Sequence, residues 1–250
     1  MTIAAIGQIA KGYVNAEAGT TLVIATTASA AAGNLVIVSV AKKNVSTGVS
    51  ATNEVISVED CGHSGWWKLA EYCNGRGAAN AGVVTSLWAS VLTAPIPINT
   101  SKAPVVVGTI TITFSSAIAQ RSANAYAFSI STPMNTVAQA VTSLFETANA
   151  TDWGVLTFAA ALPSAEYLTI RTAATNGSNT SQSVTATWTS LAANRGTVSP
   201  FITNWAEYKI ATSTGEVSSV SSGITDDSAS VAVVLKEYLV PSEQAMVLSV

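Results

Sequence analysis

The segment VVVGTITITFS, from Val105 to Ser115, places apolar residues at every second position of its latter part, with threonine between them. Successive side chains of a strand point to opposite faces, so this pattern describes a half-buried β-strand with one apolar and one hydroxylated face. Related segments recur along the chain. LVIVSVA (Leu35 to Ala41), VISVEDC (Val55 to Cys61), VVTSLWASVL (Val83 to Leu92) and ANAYAFSI (Ala123 to Ile130) are strand-length runs rich in β-formers. WGVLTFAAAL, EYLTIRTAA, SVTATWTS, NWAEYKIAT and ASVAVVLKEYL continue the series. GTT, GAANAG, TNGSNTSQS and STGEVSSVSSG punctuate it with turn residues. Roughly a dozen short strands at this spacing specify an all-β sandwich or barrel.

Only TVAQAVTSLFETANA, from Thr136 to Ala150, carries a helical alternative. It reads as an amphipathic helix or as a strand, VAQAVTSLF, running into an acidic turn, and the strand is the expectation. No Pro-rich or charged linker divides the chain, so residues 1–250 are expected to form a single β-sandwich domain. WWKLAEY (Trp66 to Tyr72) is echoed by NWAEYKIA (Asn204 to Ala211), which suits two similar strands on opposite halves of a two-sheet fold.

Charge narrows the function classes. Charged residues make up 10% of the chain and the mean hydropathy is +0.40, against a usual charged share of about 25%. Ser and Thr supply about a quarter of all residues. A surface this poor in charge points either to cover by other subunits or to a hydroxyl-coated exterior. The net charge of −3 comes with no basic cluster, so no nucleic-acid partner is expected. MTIAAIGQIAKG lacks the layout of a secretory signal. The uncharged stretch from Thr21 to Ala41 is broken by Thr, Ser and Gly33-Asn34, which suits two strands and a turn better than a membrane span.

CGHSGWWKLAEYC, from Cys61 to Cys73, holds both cysteines and the only histidine. Read as a hairpin turning at Gly62-His63-Ser64-Gly65, it sets Cys61 opposite Trp66 and Cys73 opposite Glu54. An offset of about seven residues at ~3.3 Å each then separates the sulfurs by ~20 Å. That is too far for a disulfide or for shared ligation of zinc, so no metal, cofactor or disulfide is expected. A Cys61–His63 catalytic pair lacks a third group to orient the ring. Glu71 and Glu207, in the two AEY echoes, are a candidate carboxylate pair of the glycosidase type; without a wider acidic cluster they read as solvent-facing strand positions, and no catalytic residue is assigned. Adjacent Trp66 and Trp67 must point to opposite faces, one into the core and one outward, where an indole serves as a sugar platform or a subunit anchor.

AAAGNLVIVSVAKKN, VEDCGHSGWWKLAEYCNGRGAANAG, SLWAS and GTITITFSSAIAQRSANAYAF together resemble a diffuse group of tailed-phage virion proteins. That group has a GN-apolar strand, a D-x-x-GN-x-W-x-x-A segment, an LW/FYA strand and a G-x-x-ITVTFS strand. NWAEYKIAT and SASVAVVLKEYL look like its closing strands. His63-Ser64-Gly65-Trp66 departs from it, where the group has Gly-Asn before the tryptophan. The resemblance implies a two-sheet antiparallel jelly-roll or lectin-like β-sandwich that decorates a virion, assembled in the host cytoplasm. The role expected is non-enzymatic: a capsid cement or decoration protein bridging the major capsid protein, as a homo-oligomer and specifically a homotrimer, with no membrane partner. The trimer follows from the threefold positions of a shell. The alternative is a receptor- or carbohydrate-binding module of a tail fibre or head fibre.

Overall fold

The computed structural model describes residues 3–15, 17–43, 54–62, 64–74, 82–100, 107–131, 134–144, 166–176, 187–195, 202–211 and 227–237. They form thirteen strands: β1 (Ala4–Val14), β2 (Gly19–Ala25), β3 (Leu35–Lys43), β4 (Val55–Asp60), β5 (Trp67–Asn74), β6 (Val83–Val91), β7 (Thr109–Ile118), β8 (Arg121–Ser129), β9 (Met134–Leu144), β10 (Tyr167–Asn176), β11 (Thr189–Arg195), β12 (Ile202–Ala211) and β13 (Asp227–Glu237). Every ladder is antiparallel. The chain is thus an all-β sandwich, built from three sheets where two were expected. Their strand orders are β1-β8-β3-β6-β5, β11-β12-β10-β13-β9 and β2-β7-β4.

The burial of β3, β6 and β8 explains the third sheet. Each is buried along all but its last residue, and a strand buried on both sides needs cover above and below. Val36, Val38 and Val40 of β3 pack with Leu22, Ile24, Ile110 and Ile112 of the three-stranded sheet. Leu35 and Ile37, one residue out of phase, pack with Leu168, Ile170, Val231 and Val233 of the other five-stranded sheet. The sheet containing β3 is therefore a middle layer with a core on each face. Each fully buried Val, Leu or Ile contributes about 1.5–3 kcal/mol relative to an exposed one.

The segment from Thr136 forms the expected strand, β9, as far as Leu144; residues 145–150 lie outside the described set, as do Trp153 and His63. β1 is an additional strand that the alternation does not reveal. It carries two register shifts against β8, between Ala5 and Gly7 and between Gln8 and Ala10.

VISVEDC and WWKLAEYC do not form a hairpin. β4 pairs with β7 in the three-stranded sheet, whereas β5 pairs with β6 at the edge of the middle sheet. The cross-strand positions of Cys61 and Cys73 derived from a hairpin therefore do not exist. The physical cause lies in where the two strands bury their apolar residues: Val55 and Val58 of β4 enter the core under the three-stranded sheet, whereas Leu69 and Ala70 of β5 enter the other core. Trp66 packs against the first core and Trp67 against the second. The opposite pointing of the two rings is as expected, but both are half-buried, because the middle sheet has no open face here.

Three chain segments meet around Thr26. Its N–H donates to Gly108 O at 2.9 Å, and its hydroxyl lies 2.6 Å from Pro97 O and 2.8 Å from Gly108 O. Gly108 has φ +72°, and a Cβ there would lie 2.5 Å from Pro97 O and 2.6 Å from Asn99 N. Both obstacles are backbone atoms that cannot rotate away. Gly108→Ala is therefore expected to cost about 1–3 kcal/mol, read as a lower urea midpoint; an unchanged midpoint would contradict this packing.

Candidate functional site

The Cys61–Cys73 stretch is organised by a carboxylate. Asp60, buried at the end of β4, accepts hydrogen bonds at Oδ1 from Gly62 N (2.6 Å) and Ser64 N (3.3 Å), and at Oδ2 from Trp66 Nε1 (3.0 Å). Ser90 Oγ donates to Gly65 O at 2.7 Å, and Thr93 N donates to Ser64 Oγ at 3.3 Å, which ties the crossover to the end of β6. The turn residues thus serve a passage between sheets. Cys61 is a half-buried free thiol against the first core, and Cys73 is a buried free thiol on β5. Among the described residues no group of three or more His, Cys, Asp or Glu is arranged to hold a metal ion. Charge-assisted hydrogen bonds are worth about 1.5–3 kcal/mol each. Asp60→Ala should accordingly destabilise the protein by about 2 kcal/mol and move Trp66 fluorescence; a variant with native emission and native stability would remove Asp60 from this role.

Glu71 and Glu207 occupy matching places in the two AEY echoes, and the match is structural. Ala70 and Tyr72 on β5, and Ala206 and Tyr208 on β12, all pack into the core shared by the two five-stranded sheets. Strand alternation then sends both glutamates away from that core, in opposite directions. Glu71 turns toward β4, where its carboxylate accepts Glu54 N at 2.7 Å and Val55 N at 3.1 Å and meets Lys68 Nζ at 3.1 Å. Glu207 lies on the far face of the second five-stranded sheet, 3.9 Å from Arg171 Nη1, with both side chains fully buried. Neither glutamate is a solvent-facing strand position, and the two carboxylates do not face one another. Lys42 Nζ binds Glu54 Oε2, and Ser115 Oγ donates to the same oxygen at 2.9 Å. Lys68 Nζ sits 5.3 Å from the centroid of Trp88. These groups form an ionic staple between the middle and three-stranded sheets.

Lys42, Glu54, Asp60, Arg121, Arg171 and Glu207 are all buried, from a complement of 11 basic and 14 acidic residues. The exterior is left with even less charge than the composition implies. Of the described tryptophans, Trp88, Trp188 and Trp205 are buried and Trp66 and Trp67 half-buried, so none provides an open platform. Exposed apolar residues occur instead on the outer side of the three-stranded sheet, where Val23 and Ile56 are 54% and 55% exposed beside Thr111 and Thr113.

A cleft of about 380 Å³ opens between the edges of the two five-stranded sheets. Its walls are Ala5 to Gln8 of β1, Ala127 and Phe128 of β8, Thr189 to Leu191 of β11, and Tyr208 of β12. Phe128 and Tyr208 meet edge to face, with centroids 5.3 Å apart and planes at 78°. Thr189 is the direct cross-strand neighbour of Tyr208. None of the described wall residues is acidic, basic or histidine. Sequence reading did not find this cleft, because β1 was not read as a strand and the cleft's residues meet only through the stacking of two sheets. Comparison of the chain with protein families, with curated proteins and with solved structures finds no match to any of them.

Proposed function

We propose that the chain is a non-enzymatic structural protein of a tailed-phage virion, acting as a capsid cement or decoration protein that bridges subunits of the major capsid protein, as a homotrimer. The observation that carries the reading is the distribution of charge. The Lys42–Glu54 pair lies between two layers and the Arg171–Glu207 pair between two strands of one sheet, while the outer face of β2, β7 and β4 presents threonines, exposed Val23 and Ile56, and one exposed carboxylate, Glu59. A broad face of this kind gains from apolar contact at ~25 cal/mol per Å² buried, and its hydroxyls can set the register of a partner through hydrogen bonds. The resemblance of the strand and turn pattern to tailed-phage virion proteins supplies the setting. Threefold and quasi-threefold positions of a shell supply the oligomer.

An icosahedral reconstruction of the assembled particle tests this directly. Density for the chain on the head lattice in many copies, its three-stranded sheet against the shell, is the expected result. Finding it only at the tail, or in a handful of copies, would end the cement reading in favour of a fibre-borne receptor- or carbohydrate-binding module. That alternative had exposed tryptophans as its motive, and the described ones are covered. Turnover of polysaccharide, ester or peptide substrates by the purified chain would overturn the non-enzymatic part.

A further inference from the structure

We propose that the cleft between β1 and β11 is a binding site for a neutral saccharide unit. The charge of its walls decides the first half of that statement. Tyr208 is flanked in sequence by Glu207 and Lys209, but alternation along β12 turns both to the opposite face, and among the described residues no ionised side chain lines the space. An anionic or cationic ligand would find no partner there.

The remaining chemistry selects among neutral ligands. Ile6, 49% exposed, and the half-buried Tyr208 ring give apolar surface, with Phe128 and Leu191 packed behind them, while Gln8, Thr189 and the Tyr208 phenol add amide and hydroxyl groups that both donate and accept. A pyranose has the same dual character, with C–H faces that pack on aromatic rings and hydroxyls that donate and accept. Gln8 is already positioned, since its Nε2 donates to Asn124 Oδ1 at 3.3 Å and its side chain also bonds the Tyr126 phenol. A volume of about 380 Å³ falls at the small end of ligand sites, which run from about 300 to 1,000 Å³.

The competing occupant is an extended peptide, because β1 and β11 are both edge strands. Both are broken at the cleft. β1 shifts register on either side of Gly7, which has φ +121°, and β11 shifts between Leu191 and Asn194. Bulges of this kind interrupt the row of backbone donors and acceptors that an added strand needs. A ligand recognised through side chains fits the cleft better. The site is independent of where the chain sits on a particle, so its failure would leave the cement reading untouched.

The test is an NMR titration of the isotopically labelled full chain with methyl glucoside, methyl galactoside, methyl rhamnoside and methyl N-acetylglucosaminide, each to tens of millimolar, with glucuronate as charged control. At least one neutral glycoside should shift amides of Ala5 to Gln8, Thr189 to Leu191 and Tyr208. Glucuronate should bind at least about tenfold more weakly. Thr189→Trp, at an exposed position on the Tyr208 face, should fill the cleft and abolish the shifts while the rest of the spectrum stays native. Four glycosides without effect, shifts located elsewhere, wild-type binding by Thr189→Trp, or a strand-forming peptide that binds β1 in their place would each overturn the proposal.

Discussion

Lys42→Met is expected to lower the stability of the protein by about 3–5 kcal/mol, the cost of leaving a buried charge without its partner. Lys42 is fully buried on β3, and its ammonium is the counter-charge of Glu54 at the entry to β4. The loss propagates, because the Glu54 carboxylate also holds Ser115 of β7 and the Glu54 N–H is held by Glu71 of β5. Removing both charges with Lys42→Met and Glu54→Leu together should recover most of the loss, since no lone ion then remains. Urea unfolding of the two variants measures this, and a single variant within about 1 kcal/mol of wild type would show that the pair holds nothing. Acid titration gives an independent readout. Burial alone would raise the Glu54 carboxyl, but the hydrogen bond and charge of Lys42, with Ser115 and Lys68, hold it below its ordinary 4.5. A carboxyl lowered on folding contributes stability that is complete above its unfolded value and is lost as pH falls through its folded one. Wild type should therefore lose stability below about pH 4.5 more steeply than Lys42→Met.

Glu207→Gln should have an effect of similar size, about 3 kcal/mol or more. It keeps the volume and removes the charge, leaving the Arg171 guanidinium buried beside a neutral amide. Arg171 and Glu207 are direct cross-strand partners on β10 and β12, both with no exposed side-chain area. Arg171 Nε also donates to Ser230 Oγ at 2.9 Å, so one guanidinium connects β10 to both of its neighbours. Arg171→Met combined with Glu207→Met should again be milder than either change alone. Thermal unfolding separates the outcomes: a catalytic carboxylate would tolerate the amide with its melting point intact, whereas a structural one would not.

The strands were largely legible because short runs of β-formers between turn residues mark strands, whether they alternate, as TITITFS does, or not. LVIVSVA and ANAYAFSI also carried a finer signal, since runs with no polar face belong to strands covered on both sides. The signal was outweighed by proximity. Two strands separated by a four-residue Gly-rich turn are ordinarily a hairpin, and only the ladders of β4 with β7 and of β5 with β6, with the bonds of Asp60 between them, show that the chain changes sheets there. β1 escaped notice because Gly7 and its bulges break the period. Glu71 and Glu207 were misread for a different reason. Glu71 is held by the backbone N–H groups of Glu54 and Val55 as well as by nearby Lys68, and Glu207 by Arg171; the backbone donors and Arg171 lie far away in sequence, and only the packing of sheets and the register of β10 against β12 bring them together.

The ladder between β1 and β8 also sets a timetable. Ala4 pairs with Ser129 and Val14 with Arg121, so the first strand of the chain waits for the eighth before the middle sheet has both its edges. At ~5–20 residues per second, a ribosome needs on the order of 10 s to make that much chain. During that interval β1 has no ladder, and its broken register is what keeps it a poor template for the strands of other nascent chains. Non-local closure of this kind places the chain among proteins that fold in milliseconds to seconds, not microseconds. Synthesis, not the folding reaction, then governs when the first core closes.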